Sequence, residues 1–151
     1  HGCHAVDTAL WLLGASEVEV APQVALPGRR LDIPMDLALA MRTPRDQVVS
    51  VDMSYNTHIP FNDYLVVGEE NTLLLTAQEL RDRERPLVER AEDDPIARQD
   101  AEFFAAVRDR REPAVSGRAV RPTMAALQAA QDSLDARQRA LGGSARHPDL
   151  P

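Results

Sequence analysis

Two neighbouring stretches limit what this chain can fold into more than any other feature. Residues 35–43, MDLALAMRT, alternate Met35, Leu37, Leu39 and Met41 against Asp36, Ala38, Ala40 and Arg42. Residues 48–56, VVSVDMSYN, alternate Val49, Val51, Met53 and Tyr55 against Ser50, Asp52, Ser54 and Asn56. Successive side chains of a strand point to opposite faces, so a period of two with one apolar set specifies a strand with one buried face. Only PRDQ separates the two, which makes them an antiparallel hairpin. A sheet that is apolar on one side requires a packing layer there and leaves its other side, with Ser50, Asp52 and Ser54, either wet or covered by a second subunit.

The flanking segments supply that layer. Residues 4–13 place Val6, Ala9, Leu10, Leu12 and Leu13 at helical spacing with Trp11 between them, and Gly14 stands where a C-terminal cap belongs. EVEVAPQVAL (17–26) alternates as a strand that Pro22 is expected to interrupt. DYLVVGEENTLLLT (63–76) reads as a second hairpin turning around Gly68 to Asn71. Residues 77–97 are dense in both charge signs and broken by Pro86 and Pro95, and read as a charged surface excursion. Helical period returns at 97–111, with Phe103, Phe104 and Val107 as its stripe. It returns again at 122–141, where Met124, Leu127, Ala130 and Leu134 repeat behind Pro122. The order predicts an α+β fold, an open and mostly antiparallel sheet with helices packed on one face, over 1–141 with a tail at 142–151. Trp11, Phe103 and Phe104 are expected in the core.

Composition removes several functions. With 44% apolar and 27% charged residues among 151, the chain has the make-up of a globular domain with one sizeable core. A net charge of −7 argues against a nucleic-acid platform. All 17 basic residues are Arg, so Schiff-base, Walker-lysine and lysine acid–base chemistry have no residue to carry them. The four Arg of RDRERPLVER are interleaved with Asp82, Glu84 and Glu89, a solvated face and not a phosphate patch. No apolar run approaches the ~20 residues of a membrane span. The single Cys3 fits a reducing compartment, and a cytoplasmic location is expected.

HGCHAVDTALWLLG resembles the segment of the Gfo/Idh/MocA oxidoreductases written D-x-G-x-H-x-x-D-x-x-x-W-L-x-G, matching at Gly2, His4, Asp7, Trp11, Leu12 and Gly14. VVGEENTLLL is similar to the family's G-x-x-G-T-L hairpin, with Asn71 in place of a Gly. The run from Asp100 to Asp135 resembles its closing signature, ending in A-x-x-S at Ala130 and Ser133. The resemblance implies the C-terminal, substrate-binding and oligomerising domain of an NAD(P)-dependent oxidoreductase. The substrate implied is a polyol-, sugar- or cyclic-diol-like molecule, and the assembly a dimer or tetramer through the open sheet face. NAD or NADP is expected on a separate Rossmann domain, because the seven glycines here compose no G-x-G-x-x-G. This chain by itself is then expected to bind no cofactor and to be inactive.

Oxidising an alcohol requires a base to take the hydroxyl proton, and His suits that role near neutral pH. The resemblance gives it to His4. Asp7, one helical turn on, is then a substrate-hydroxyl acceptor or orients the imidazole. Tyr55, Asn56 and His58 are candidate substrate contacts. Read without the resemblance, His4 packs or caps a helix start, Asp7 forms a surface ion pair, and Tyr55 to His58 are a polar loop. Two other classes stand beside the enzyme: a non-catalytic binding or oligomerisation module, and a small metal-binding protein using His1, Cys3 and His4. Adjacent helix residues point about 100° apart, which disfavours the metal cluster, so no metal is expected and Cys3 reads as a small buried apolar residue.

Overall fold

The computed structural model describes residues 2–27, 32–59, 61–89 and 94–140. The chain divides into two compact units, one built from residues within 1–56 and 115–151, the other from 57–114. The expected tail and His1 lie outside the described residues.

The first unit contains helix α1 (Gly2–Leu13) and strands β1 (Glu19–Val24), β2 (Asp36–Arg42) and β3 (Val48–Ser54). The strands form an antiparallel sheet in the order β1-β2-β3, with Leu39 paired to both Pro22 and Val51. Its helical partner to α1 is the helix Arg121–Ala140, numbered α3 below because one helix of the second unit precedes it. Alternation sends Leu39, Met41 and Val51 to one side, where they form a buried cluster with Val6, Ala9 and Leu10 of α1 and Ala126 and Ala130 of α3. The other side keeps Ala40, Ser50, Asp52 and Ser54 exposed. This is the α+β arrangement expected from the alternating pattern, with helices on one sheet face.

Pro22 does not interrupt β1. It lies buried within an unbroken strand, which is possible because β1 is a sheet edge and a missing N–H facing outward costs no ladder bond. The β2–β3 turn is held by Thr43, whose N–H donates to Gln47 O at 2.9 Å, while Asp46 takes the left-handed conformation at φ 64. Helix α1 ends in a Schellman-type closure: Gly14 has φ +57, its N–H donates to Trp11 O, and the N–H of Ala15 donates to Leu10 O.

The second unit has a four-stranded antiparallel sheet in chain order and one helix. Its strands are β4 (Tyr64–Val67), β5 (Thr72–Leu75), β6 (Glu79–Arg81) and β7 (Pro86–Glu89), and its helix is α2 (Pro95–Asp109). The hairpin expected at 63–76 is β4–β5. The segment 77–97, read from sequence as a surface excursion, holds β6, β7 and the start of α2. The Asp82 carboxylate accepts from the N–H groups of Glu84 and Arg85, both at 2.8 Å, and shapes the β6–β7 turn; those bonds hold its pKa below the ordinary carboxylate value. Pro86 opens the edge strand, where a missing donor is harmless. Asp94 caps α2 by accepting from Ile96 N at 2.9 Å, with Pro95 in the first turn.

Three aromatic assignments are corrected. Trp11 is 77% exposed, Phe104 67% and Phe103 53%, the two Phe rings packing edge to face at 5.9 Å. Only Ala106 of α2 is buried. On α3 the expected Ala130 is buried and Leu127 packs against the cluster, joined by Thr123 and Ala126, whereas Met124 is 56% exposed, so the buried face is shifted toward the smaller residues. Small residues occupy the contact because they permit close approach of α3 to α1 and β1.

Leu39 is fully buried at the centre of the first unit. Leu39→Ala is expected to destabilise that unit by about 3 kcal/mol, read from urea unfolding followed by circular dichroism. In the second unit the Glu102 carboxylate receives Arg111 through two bonds of 2.7 and 2.8 Å, and the Ala114 N–H at 3.1 Å. The Arg111 bonds first, then the Ala114 bond, lower its pKa from 4.5 to about 2. A depressed carboxylate pKa contributes stability above the unfolded value and loses it as pH falls through the folded one. Wild-type stability should therefore fall more steeply than that of Glu102→Gln between pH 5 and pH 2, as measured by denaturant midpoints.

Candidate active site

Helix α1 carries the residues singled out by the sequence, and the structure fixes that helix at three places. At its start, a Cβ added to Gly2 would lie 3.1 Å from Met53 Cε, so the first turn rests against the end of β3. At its end, the Arg45 guanidinium on the β2–β3 turn donates to the carbonyls of Leu13 and Gly14, satisfying groups that a helix C-terminus leaves open. In between, Asp7 Oδ1 accepts a 2.6 Å hydrogen bond from Thr123 Oγ1 in the first turn of α3. Thr123 is 3% exposed, so this bond lies in the packed helix–helix contact.

The buried side of α1 is Val6, Ala9 and Leu10. Cys3, His4 and Trp11 are exposed on the remainder, and Asp7 is half-buried between the two. His4 and Trp11 are seven residues apart, two helical turns, and so share a stripe. The imidazole is thus presented to solvent from a helix with little freedom to turn. Among the described residues no hydrogen bond joins His4 to Asp7, and the carboxylate is engaged by Thr123. Cys3 is exposed, which corrects its reading as a buried apolar residue. Among the described residues no three His, Cys, Asp or Glu side chains converge on a metal position.

Tyr55 and Asn56 follow β3 directly and are exposed. They lie beyond Met53, on the same end of the unit as the start of α1. Tyr55 N donates to Met35 O at 2.8 Å, which keeps the hairpin paired past the last strand residue. Asn56 is held by a small polar network. Its Nδ2 donates to Asp36 Oδ2 at 2.8 Å, its backbone N–H to Ser54 Oγ at 3.1 Å, and Ser54 Oγ donates to Asp36 Oδ1 at 2.5 Å. His58 belongs to the second unit and is exposed there.

Sequence reasoning missed Thr123, Arg45 and Asp36. For Thr123 a signal existed: it falls three and seven residues before Ala126 and Ala130, a hydroxyl on an otherwise apolar stripe. A buried polar group requires a partner. Arg45 and Asp36 act across pairings that no local pattern encodes.

NAD(P), the cofactor that the resemblance implies, does not fit these residues. A dinucleotide site of that kind opens at the ends of parallel strands beside a Gly-rich turn. Among the described residues every strand pair is antiparallel.

The family described as bacterial oxidoreductases, C-terminal, matches residues 1–92. The chain belongs to that family. Among curated proteins none matches this oxidoreductase C-terminal domain by sequence. Solved structures share its fold. UDP-N-acetylglucosamine 3-dehydrogenase GnnA from Acidithiobacillus ferrooxidans superposes with a TM-score of 0.74 at 20% identity, over 86% of this chain and 45% of that one. The aldose-aldose oxidoreductase from Caulobacter crescentus, solved with glycerol, gives 0.72 at 17% identity over 87% and 44%. The WlbA dehydrogenase from Bordetella pertussis, in complex with NADH and UDP-GlcNAcA, gives 0.65 at 19% over 87% and 44%. The chain therefore spans less than half the length of these enzymes. No described helix is long and apolar enough to cross a membrane.

Proposed function

We propose that this domain is the substrate-binding part of a cytoplasmic NAD(P)-dependent dehydrogenase acting on a hydroxyl or carbonyl of a sugar-, polyol- or cyclic-diol-like molecule, with His4 as its acid–base group. The observation that carries the reading is the exposed His4 imidazole on a helix pinned at its start, middle and end. General acid–base catalysis demands a group within hydrogen-bond reach of the substrate and fixed in orientation. The family match and the sugar-directed names of two of the structural neighbours support the substrate class.

The residues of this chain handle the proton and the substrate hydroxyls. His4 takes the hydroxyl proton as the carbonyl forms, and returns it in the reverse direction. Asp7 has one carboxylate oxygen engaged by Thr123 and offers the other to a neighbouring hydroxyl. Asn56, with Nδ2 engaged by Asp36, offers its Oδ1. Tyr55, beside Asn56, is a further proposed substrate contact, and His58 of the second unit is proposed as a substrate contact in its own right. NAD⁺ or NADP⁺, held by a separate nucleotide domain of the intact enzyme, would accept the hydride that leaves the carbon becoming the carbonyl.

The intact enzyme is to be assayed with NAD⁺ or NADP⁺ and a panel of myo-inositol, glucose and UDP-N-acetylglucosamine. His4→Gln should lower kcat by about a hundredfold to ten-thousandfold. Retention of wild-type kcat by that variant rejects His4 as the base.

We also propose self-association through the exposed face of β1-β2-β3. That face carries small side chains at its middle, with Ala40, Ser50 and Ser54 exposed and Ser50 Oγ bonded to Asp52 at 2.9 Å, and the Arg42–Glu19 ion pair at one end. Such a surface suits an isologous contact between two copies. Sedimentation velocity should show a dimer or tetramer, and a Ser50→Arg substitution should shift it to monomer; a monomeric wild type at high concentration refutes the contact.

A further inference from the structure

We propose that Thr123 is a positioning residue for the His4 site, acting through Asp7. The inference rests on the dehydrogenase reading above and adds to it a residue remote in sequence that packs directly against α1.

Side chains at i and i+3 on a helix are neighbours, and an Asp one turn from a His is free to ion-pair with it when nothing else holds the carboxylate. Here something does. Thr123 Oγ1 donates to Asp7 Oδ1 at 2.6 Å, from a residue that is 3% exposed and third in the first turn of α3. A hydroxyl buried this deeply keeps its partner, since breaking the bond leaves a desolvated donor unpaired. The first turn of a helix also favours a carboxylate, because its free N–H groups carry partial positive charge. Asp7 is therefore held toward α3, and no His4–Asp7 bond forms among the described residues.

Two consequences follow for the site. One oxygen of Asp7 already accepts from Thr123, so the carboxylate meets a substrate hydroxyl in a fixed orientation, with Oδ2 its unengaged oxygen. Helix α1 is also locked in rotation about its axis, because Val6 and Leu10 are fixed by packing on one side and Asp7 by the Thr123 bond beside them. His4, one turn toward the N-terminus, takes its direction from that lock. Thr123 touches neither substrate nor cofactor in this scheme.

The test uses the intact enzyme and the panel member it oxidises fastest. Thr123→Val, which keeps the shape and removes the hydroxyl, should lower kcat about tenfold. Thr123→Ser, which restores a donor, should return kcat to within about twofold of wild type. In an Asp7→Ala background Thr123→Val should produce no further loss, since its effect passes through the missing carboxylate. Circular dichroism checks that each variant is folded, and Thr123→Ala takes the place of the Val variant if that one is not. Wild-type kcat in Thr123→Val overturns the inference. A loss of equal size with and without Asp7 also overturns it, by assigning Thr123 to packing alone. A wild-type enzyme that oxidises no panel member overturns the dehydrogenase reading and this inference together. Activity that depends on His4 but not on Thr123 overturns only the inference.

Discussion

The first unit depends on covering one apolar sheet face. Leu39 and Met41 of β2 are almost wholly removed from solvent, and the residues that cover them come from α1, near the start of the chain, and α3, near its end. Each buried Leu or Met side chain contributes about 1.5–3 kcal/mol of transfer free energy, and an uncovered sheet face forfeits it. The second unit lies in sequence between β3 and α3. The first unit is therefore closed by a contact between segments more than a hundred residues apart, as the Thr123–Asp7 bond records.

That closure also makes the site. A helix packed on a sheet buries one side and leaves the other, so the residues opposite Val6, Ala9 and Leu10 become an exposed stripe by default. His4 and Trp11 are on it. The fixing contacts around it are of different kinds: van der Waals approach at Gly2, charge-assisted bonds from Arg45 to the helix C-terminus, and a buried hydroxyl–carboxylate bond at Asp7. They reach three separate points along the helix, and this gives a short α1 a defined rotation and tilt.

The elements that were legible in sequence are those whose signal is local. The alternation of 35–43 and 48–56 and the short turn between them predict β2 and β3 in register, because strand period and hairpin geometry are properties of a few adjacent residues. Gly14 marks the end of α1 for the same reason. Where the reading failed, a distant partner made the decision. Pro22 is compatible with β1 only because β1 is an edge. The charged stretch at 79–89 pairs as β6 and β7 because β5 offers an edge to extend, and its few apolar residues, Leu80, Leu87 and Val88, give too short a pattern to announce it. Trp11, Phe103 and Phe104 show the same limit, since a stripe on a helix says which side is apolar and not whether anything packs on it.

The amino-acid sequence by itself determined the types of the three helices and of β1 to β5, the hairpin pairing of β2 with β3 and of β4 with β5, and the family motif that singles out His4 and Asp7. It did so because backbone periodicity, turn chemistry and side-chain identity are local quantities. Only the tertiary structure decided which side of α3 faces α1, that the Asp7 carboxylate belongs to Thr123, and that Arg45 closes the end of α1. Those outcomes depend on hydrogen-bond donors and buried surfaces brought together from distant parts of the chain: the apolar stripe around Thr123 shows that its hydroxyl needs a partner, but nothing beside either residue names Asp7 as that partner at 2.6 Å.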